Sequence, residues 1–583
     1  MLAAPAGAAA TTGVAPATVT APVFDDEGRL LEAPFAPPEG AARLTEEQAT
    51  AIAFRHPKVR RWLDRYPPQP TTSAEYRPAS SDWVVKAWSG TAGQIVLAKV
   101  DDASGTVTEA WTGPQVAWSM ARGGAGSFGG RTINTPWVWL AFCGAFLLGL
   151  ADLRRLRSLR NLDLLALLSF TLSLRFFNEG EVFWSVPLAY PPLAYLLARC
   201  LWIARRDRAP RAAAPVWPVW VLAAAAVFLA GFRVGLNVEA PRSVIDVGFA
   251  GVIGGHRIAN GQIPYGNMPE QGGLEPCGPA DAEGEIRERI QTNGRCEASN
   301  ARGDTYGPVS YIAYVPGYLA FGWTGKWDEL WAAHATTLLF DALCLLGLAL
   351  VGRRFGGNRL GATLAFAWAA YPFTLYASNS NTNDAIMPAF LIWGFWLVSS
   401  PWARGAAVAL AGWTKFAALL LAPLWLAYPR ALSLRRPRGR GAFVGGFALA
   451  TLASFSILLL EPSPVEAART FADRTFGFQL DRESPFSIWG WGQYEAEGIP
   501  DLKLGQRVVQ ALLVLGAVVL AFVPRHRSPL RLAALSAALL IGFQLALTHW
   551  FYLYIPWFFP FVAFALLATQ LRPRDVARVD PVH

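Results

Sequence analysis

The chain has 583 residues, of which 53% are hydrophobic and only 16% are charged. In soluble domains about a quarter of the residues are charged, so this composition excludes an ordinary soluble globular protein. Apolar runs of about 20 residues instead indicate a polytopic helical membrane protein. The net charge of +9 comes largely from arginines in short loops and is interpreted as a topology signal. Basic patches with regularly spaced aromatic residues are absent from the sequence, so nucleic acid is not an expected partner.

Residues 1–43 are rich in Ala, Pro and Thr and lack periodicity, which predicts a disordered leader. The opening MLAAPAGAAATTGVA resembles the tail of a secretory signal peptide, as if the start codon were assigned too late. A plain flexible leader is the alternative.

A small α+β domain is predicted over residues 44–125. A helix capped by Thr45 is followed by alternating runs typical of a β-meander. The domain resembles a PepSY-type domain. The residues that carry this resemblance are Thr45, Val100, Asp101, Gly105 and Val107.

Apolar segments dominate the chain from Trp137 onward. We predict eleven full spans plus a pair of half-helices over 403–427 that turns near Trp413–Lys415, with thirteen crossings as the alternative. The predicted spans are about 136–151, 162–177, 184–204, 216–236, 329–351, 358–376, 384–400, 441–460, 506–523, 529–548 and 550–570. The fold class is therefore an all-α polytopic membrane protein with a small N-terminal α+β domain.

Arginine placement sets the expected orientation, because short cytoplasmic loops are enriched in arginine. The arginines between 154 and 160 put the loop after the first span in the cytoplasm and the N-terminal domain outside. The same rule lays residues 306–323 along the outer surface as a helix, in which the helical spacing of Tyr311 and Tyr314 suits a membrane interface. It also creates outer loops at 237–328 and 461–505 and a cytoplasmic tail at 571–583.

Asp246 stands out because it follows a span directly and has apolar neighbours. A carboxylate at a membrane boundary carries a desolvation cost that strengthens it as a general base. A helix N-cap or a surface aspartate is the structural alternative. The glycines that follow allow a short helix over 244–261 to approach a lipid or another helix; they are Gly248, Gly251, Gly254 and Gly255.

An acidic segment at about 266–303 separates the two predicted surface helices. It contains Cys277 and Cys296, and a disulfide between them is plausible if the loop is extracytoplasmic. No Cys or His cluster has metal-ligand spacing, so neither a metal nor another cofactor is expected.

The order of these motifs resembles the GT-C superfamily of membrane glycosyltransferases, and within it the actinobacterial polyprenol-phosphate-mannose-dependent mannosyltransferases. The resemblance covers about 216–570, and residues 136–205 add three accessory spans. The residues that carry it are Asp246, Gly261, Pro264, Tyr265, Tyr306, Pro316, Asp341, Asn381, Asn383, Asp384, Lys415 and Pro423.

The resemblance implies inverting transfer of a mannose-like hexose or a pentose from a polyprenyl-phosphate donor, with Asp246 as general base. The acceptor would be a cell-envelope glycan or glycolipid, and the protein would lie among the lipids of a bacterial plasma membrane with its active site outside. Donor-phosphate or substrate contacts are expected from Arg474, Arg482, Lys415, His549, Tyr306, Gln479, Ser484, Asp304, Asn383 and Asp384. The N-terminal domain and the acidic insertion depart from the family pattern.

Most of these residues also have an ordinary structural explanation. The arginines can pair with acidic residues of their own loop, and Lys415 can snorkel or occupy a helix turn. His549 can be an interfacial histidine, Asp341 can form a buried ion pair, and Asn383 and Asp384 can cap a helix. Two other function classes remain open: a transporter or flippase of lipid-linked saccharides, and a membrane sensor or accessory protein.

Overall fold

A computed structural model of the protein describes residues 23–24, 30–32, 42–124, 126–208, 217–268, 273–277, 288–292, 294–298, 303–432, 439–477 and 483–568. The chain divides into two compact units, the first ending at Gly113 and the second beginning at Pro114. The N-terminal domain predicted to reach residue 125 therefore ends earlier. The predicted tail at 571–583 lies outside the described residues.

The first unit is a four-stranded antiparallel meander packed against two helices. Thr45 caps the first helix as predicted, with the backbone N–H of Gln48 donating to the Thr45 hydroxyl and the Gln48 side chain accepting from the Thr45 N–H. The helices are Glu46–Arg55 and Pro57–Leu63, and the strands in sheet order are Thr71–Arg77, Asp82–Trp88, Gln94–Asp101 and Val107–Thr112.

Two features of this unit were not predicted. Strand Thr71–Arg77 lies at the edge of the sheet and is mostly exposed. Its sequence therefore does not alternate between apolar and polar residues, which is the pattern that marks a half-buried strand. Within the leader, Val23–Phe24 pairs antiparallel with Leu30–Glu32, so part of the segment expected to be disordered forms a short ladder.

The second unit is helical. Five of its described helices are long and apolar enough to cross a membrane: Val182–Arg206, Val219–Glu239, Trp331–Ala370, Arg440–Leu460 and Pro529–Ala546. This content is consistent with a membrane protein. The other described α-helices are Pro114–Ala117, Pro136–Leu150, Leu159–Leu168, Phe170–Asn178, Asp246–Ala259, Pro308–Ile312, Val315–Phe321, Pro372–Asn379, Ile386–Trp396, Pro401–Gly412, Ala422–Leu426, Pro464–Ala472, Lys503–Val519 and Ile555–Leu567.

One predicted span is broken, and two others are separated by a turn at a glycine. The predicted span 162–177 is two helices that meet at Ser169. The element Trp331–Ala370 consists of two helices that meet at Gly357, where φ is 78°, and a Cβ on Gly352 would lie 2.5 Å from the backbone of Gly361, so the two helices fold back on each other. The spans predicted at 329–351 and 358–376 therefore lie in separate helices. The backbone conformation of Gly357 is open to glycine and strained for other residues.

The predicted pair of half-helices is present, and we call it the half-helix pair. Its first arm is Pro401–Gly412 and its second arm is Phe416–Leu426. Arg404, near the start of the first arm, donates to the carbonyls of Trp425 (3.2 Å) and Tyr428 (2.9 Å) at the end of the second. The two arms therefore fold back on each other, and their turn lies at residues 413–415, where the sequence placed it.

A glycine-rich helix and two short helices pack against each other in the loop region before Trp331. We call Asp246–Ala259 the glycine helix, and Pro308–Ile312 with Val315–Phe321 the tyrosine helices. A Cβ on Gly254 would come within 2.2 Å of the Tyr311 ring, and one on Gly251 within 2.5 Å of the Tyr314 ring. The glycines therefore serve helix packing, which the sequence had left open beside lipid contact.

The expectation that Tyr311 and Tyr314 anchor a membrane interface is wrong. Both side chains are buried against the glycine helix. The Tyr311 hydroxyl donates to the Gly303 carbonyl at 2.8 Å and so fixes the chain just before Tyr306. Helical spacing of tyrosines does not distinguish a face in contact with lipid from one in contact with a neighbouring helix.

Replacing Gly254 with alanine should destabilise the protein by about 1–3 kcal/mol, because the added methyl group overpacks against Tyr311. Gly231→Ala is the matched control, since Gly231 is also helical and nothing lies near its absent Cβ. Thermal unfolding in detergent measures both. Equal melting temperatures for the two variants would contradict the close packing.

Candidate active site

Asp246 is the first residue of the glycine helix and is exposed. The chain before it is held by the 380–381 region: Asn381 donates to the Ser243 carbonyl (2.8 Å) and the Ile245 N–H donates to the Ser380 carbonyl (3.2 Å). The position in the first helical turn also suits a carboxylate, because the helix dipole stabilises negative charge there. Ile245 is the N-cap, so the N-cap explanation of Asp246 is wrong, and the alternative of a surface aspartate fits. Because Asp246 is exposed, desolvation does not strengthen it as a base, and its candidacy depends on its position at a cavity.

Asp246 opens into a cavity of about 1060 Å³, which we call the polar cavity. Its lining carries charges of both signs, contributed by segments far apart in the sequence. The charged lining residues are Arg131, Arg242, Asp246, Glu288, Arg295, Glu297, Asp384, Lys415 and Glu483.

A second cavity, of about 620 Å³, is lined mostly by apolar side chains, and we call it the apolar cavity. Its walls include Val514 and Val518, which are both exposed on helix Lys503–Val519. The two cavities have four lining residues in common, namely Tyr306, Lys415, His549 and Tyr554. The polar and apolar spaces therefore meet at one lysine and its aromatic neighbours.

Lys415 lies at the turn of the half-helix pair and is only 8% exposed. Its Nζ is 3.3 Å from Asp384 Oδ1 and 4.2 Å from the centre of the Tyr306 ring. Asp384 is in turn fixed by the Trp557 indole N–H, which donates to Oδ1 at 2.9 Å, and by the Thr382 hydroxyl. Lys415 therefore does not snorkel to an interface; it is a buried, paired ammonium group between the two cavities.

His549 is also in both linings and is held by a second predicted residue. Its Nδ1 is 2.9 Å from the hydroxyl of Ser484, which is fully buried. Ser484 does not line either cavity, so the residue expected to contact sugar directly instead orients His549.

Asp304 and Arg474 lie beside the site and outside both cavity linings. Asp304 is fully buried and accepts from the Gly266 N–H at 2.6 Å, with Arg474 Nε 3.6 Å away. Arg474, which was expected to hold phosphate, thus lies near Asp304. The sequence had suggested acidic partners only from the loop of Arg474 itself, and Asp304 belongs to a different loop. We infer that this pair supports the chain that leads into Tyr306.

The remaining predicted contacts divide. Asn383 is buried and lines neither cavity, whereas its neighbour Asp384 lines the polar cavity. Asp341 forms a buried pair with Arg233, at 2.5 Å, and accepts from the Trp368 indole N–H. The structural explanation of Asp341 therefore holds. Gln479 and Arg482 lie outside the described residues.

The acidic insertion contributes a part of the wall that the sequence did not assign. Cys277 and Cys296, the pair considered from their common loop, are joined by a disulfide. Strands Glu288–Ile290 and Cys296–Ala298 pair antiparallel, and we call them the insertion hairpin. Glu288, Arg295 and Glu297 of this hairpin line the polar cavity with Asp246. Only the presence of an acidic insertion near Asp246 in the sequence could have suggested this.

Among the described residues, no group of three or more His, Cys, Asp or Glu side chains could hold a metal ion. No protein-family model matches the chain, and no curated protein matches it.

Lys415 and Asp384 should be strongly coupled in their contributions to the free energy of unfolding. Lys415→Met or Asp384→Asn alone leaves one buried charge without its partner, which costs about 3–5 kcal/mol. The double variant should lose clearly less than the sum of the two single losses, as measured by chemical unfolding in detergent. Additive losses would show that the two side chains are not coupled.

Glu297 should make stability depend on pH. Burial raises the pKa of its carboxyl from 4.5 to about 8; Arg295 opposes this shift, and the charges of Asp246 and Glu288 add to it. Because the folded state holds this proton more tightly than the unfolded state, the free energy of unfolding is highest below pH 4.5. It falls as the pH rises through about 8, where the buried carboxyl must ionise.

Glu297→Gln should remove this loss, so the difference in melting temperature between wild type and variant should change across that pH range. Glu275→Gln, at an exposed position before the hairpin, is the control. A constant difference between wild type and Glu297→Gln at every pH would contradict the shifted pKa.

Proposed function

We propose that the protein is an integral membrane glycosyltransferase that transfers a mannose-like hexose or a pentose from a polyprenyl-phosphate donor to a cell-envelope glycan or glycolipid. The observation that carries the proposal is the meeting of the polar and apolar cavities at Lys415. The resemblance of the motif order to GT-C glycosyltransferases supports the same class.

A lipid-phosphate sugar has three parts with different chemical needs. Its prenyl chain needs an apolar trough, its phosphate needs a cation, and its sugar needs a polar chamber. The apolar cavity, Lys415 and the polar cavity offer these in that order. The exposed Val514 and Val518 would let a long chain continue into surrounding lipid.

In the proposed reaction, the Asp246 carboxylate takes the proton from an acceptor hydroxyl. The acceptor oxygen attacks the anomeric carbon from the face opposite the phosphate, and the bond between that carbon and the phosphate oxygen breaks. The configuration at the anomeric carbon is therefore inverted. The polyprenyl phosphate leaves with the bonding electron pair, and the ammonium group of Lys415 stabilises the charge that develops on it.

The orientation of the site is part of the proposal. Arginine placement puts the N-terminal unit and the loops that carry Asp246 on the outer side of a bacterial plasma membrane and the C-terminus in the cytoplasm. The proposed count is eleven full spans plus the half-helix pair.

A flippase for lipid-linked saccharides is the second candidate. Broken helices that approach each other within a membrane are typical of transporters, and the half-helix pair is such an element. The two candidates differ in the product: a transferase forms a glycosidic bond, whereas a flippase moves an unchanged substrate.

Asp246→Asn should reduce sugar transfer by at least about a hundredfold, the size expected for loss of a general base. Purified protein in nanodiscs is mixed with farnesyl phosphates of mannose, glucose and arabinose and with glycan acceptors, and the glycosylated product is measured. Asp473→Asn, an exposed aspartate outside both cavity linings, is the matched control.

Equal transfer by wild type and Asp246→Asn would remove Asp246 as the base. Movement of intact donor across vesicles without formation of any glycosidic bond would favour the flippase.

A further inference from the structure

The insertion hairpin is firmly attached beside Asp246. The Cys277–Cys296 disulfide closes it, and the Cys277 N–H donates to the Glu288 carbonyl at 3.1 Å. Arg295 ties it to the rest of the second unit by donating to the backbone carbonyls of Ser127 and Arg242. The hairpin is thus a fixed part of the cavity wall.

Three side chains of the hairpin line the polar cavity. Arg295 Nε is 2.9 Å from Glu297 Oε1, and Glu288 accepts a hydrogen bond from the Ser119 hydroxyl. The charge of Asp246 is one of those that raise the pKa of Glu297, so the proposed base and the hairpin are electrostatic neighbours.

The hairpin belongs to the part of the polar cavity that is not shared with the apolar cavity. Neither Glu288, Arg295 nor Glu297 lines the apolar cavity, whereas Lys415 lines both. If the donor phosphate lies at Lys415, the hairpin faces the space left for the acceptor. At about 1060 Å³ the polar cavity reaches the upper end of the usual range for ligand sites, about 300–1000 Å³. It therefore has room for more than the transferred sugar.

We propose that the insertion hairpin is the acceptor-selecting wall, and that Glu288, Arg295 and Glu297 bind the hydroxyl groups of an uncharged glycan. This inference rests on the proposed glycosyltransferase function. A hydroxyl group can donate to a carboxylate and accept from a guanidinium, so it suits a wall with both charges. An anionic acceptor would meet the acidic side chains of Asp246, Glu288 and Glu297 there, and a cationic one would meet Arg131, Arg242 and Arg295.

The test measures acceptor and donor kinetics separately in nanodiscs. The donor is whichever farnesyl-phosphate sugar the wild type uses, and the acceptors are methyl glycosides of hexose disaccharides and their phosphorylated counterparts. The variants are Glu297→Gln and Glu288→Gln, and Glu275→Gln is the matched control because Glu275 is exposed and lines neither cavity.

Above a pH of about 8, where the Glu297 carboxyl is ionised, Glu297→Gln and Glu288→Gln should each raise the KM for the neutral acceptor about tenfold, since each weakens a charge-assisted hydrogen bond. The KM for the donor should rise much less, and Glu275→Gln should match the wild type in both. Hydrolysis of the donor by water, measured without acceptor, shows that each variant is folded and binds donor.

An unchanged acceptor KM in both variants, or a rise confined to the donor KM, would overturn the acceptor wall while leaving the glycosyltransferase in place. Preference for the phosphorylated acceptor would overturn the assignment of an uncharged glycan. Absence of transfer and of donor hydrolysis by the wild type would instead remove the proposed function itself.

Discussion

The ion pair between Lys415 and Asp384 is the interaction on which the candidate site depends. An ammonium group buried at a helix turn is costly unless a partner compensates its charge, and Asp384 is 3.3 Å away. Trp557 and Thr382 fix Asp384, and the ring of Tyr306 lies against the lysine. This pair therefore links the half-helix pair to two other segments, at the point where the polar and apolar cavities meet.

The position of Asp246 depends on a second constraint, which is close backbone packing. The glycine helix approaches Tyr311 and Tyr314 because it has no side chains at Gly251 and Gly254. The hydrogen bond from Asn381 to the Ser243 carbonyl then ties the start of that helix to the region beside Asp384. Asp246 and Lys415 are far apart in the sequence, but both line the polar cavity. The segments that hold them are connected by this hydrogen bond and by the Lys415–Asp384 ion pair.

Some of this architecture could be predicted because it follows from local rules. The cap at Thr45 is a short-range motif, and the half-helix pair followed from the need to keep arginine-rich loops on one side of a membrane. The tyrosine helices were predicted on the wrong grounds, because helical spacing does not tell which neighbour covers a face. The proximity of Arg474 to Asp304 could not be predicted, because the two residues lie in different loops.

The sequence by itself determined the helical, apolar character of the second unit, the α+β character of the first, and the importance of Asp246 and Lys415 as candidates. These follow from composition, periodicity and motif order, which are all properties of the sequence itself. Only the tertiary structure decided that Lys415 lies between two cavities and that Ser484 supports His549. It also decided that the acidic insertion turns Glu288 and Glu297 toward Asp246. Those arrangements depend on contacts between distant segments, for which a single sequence carries no local signal.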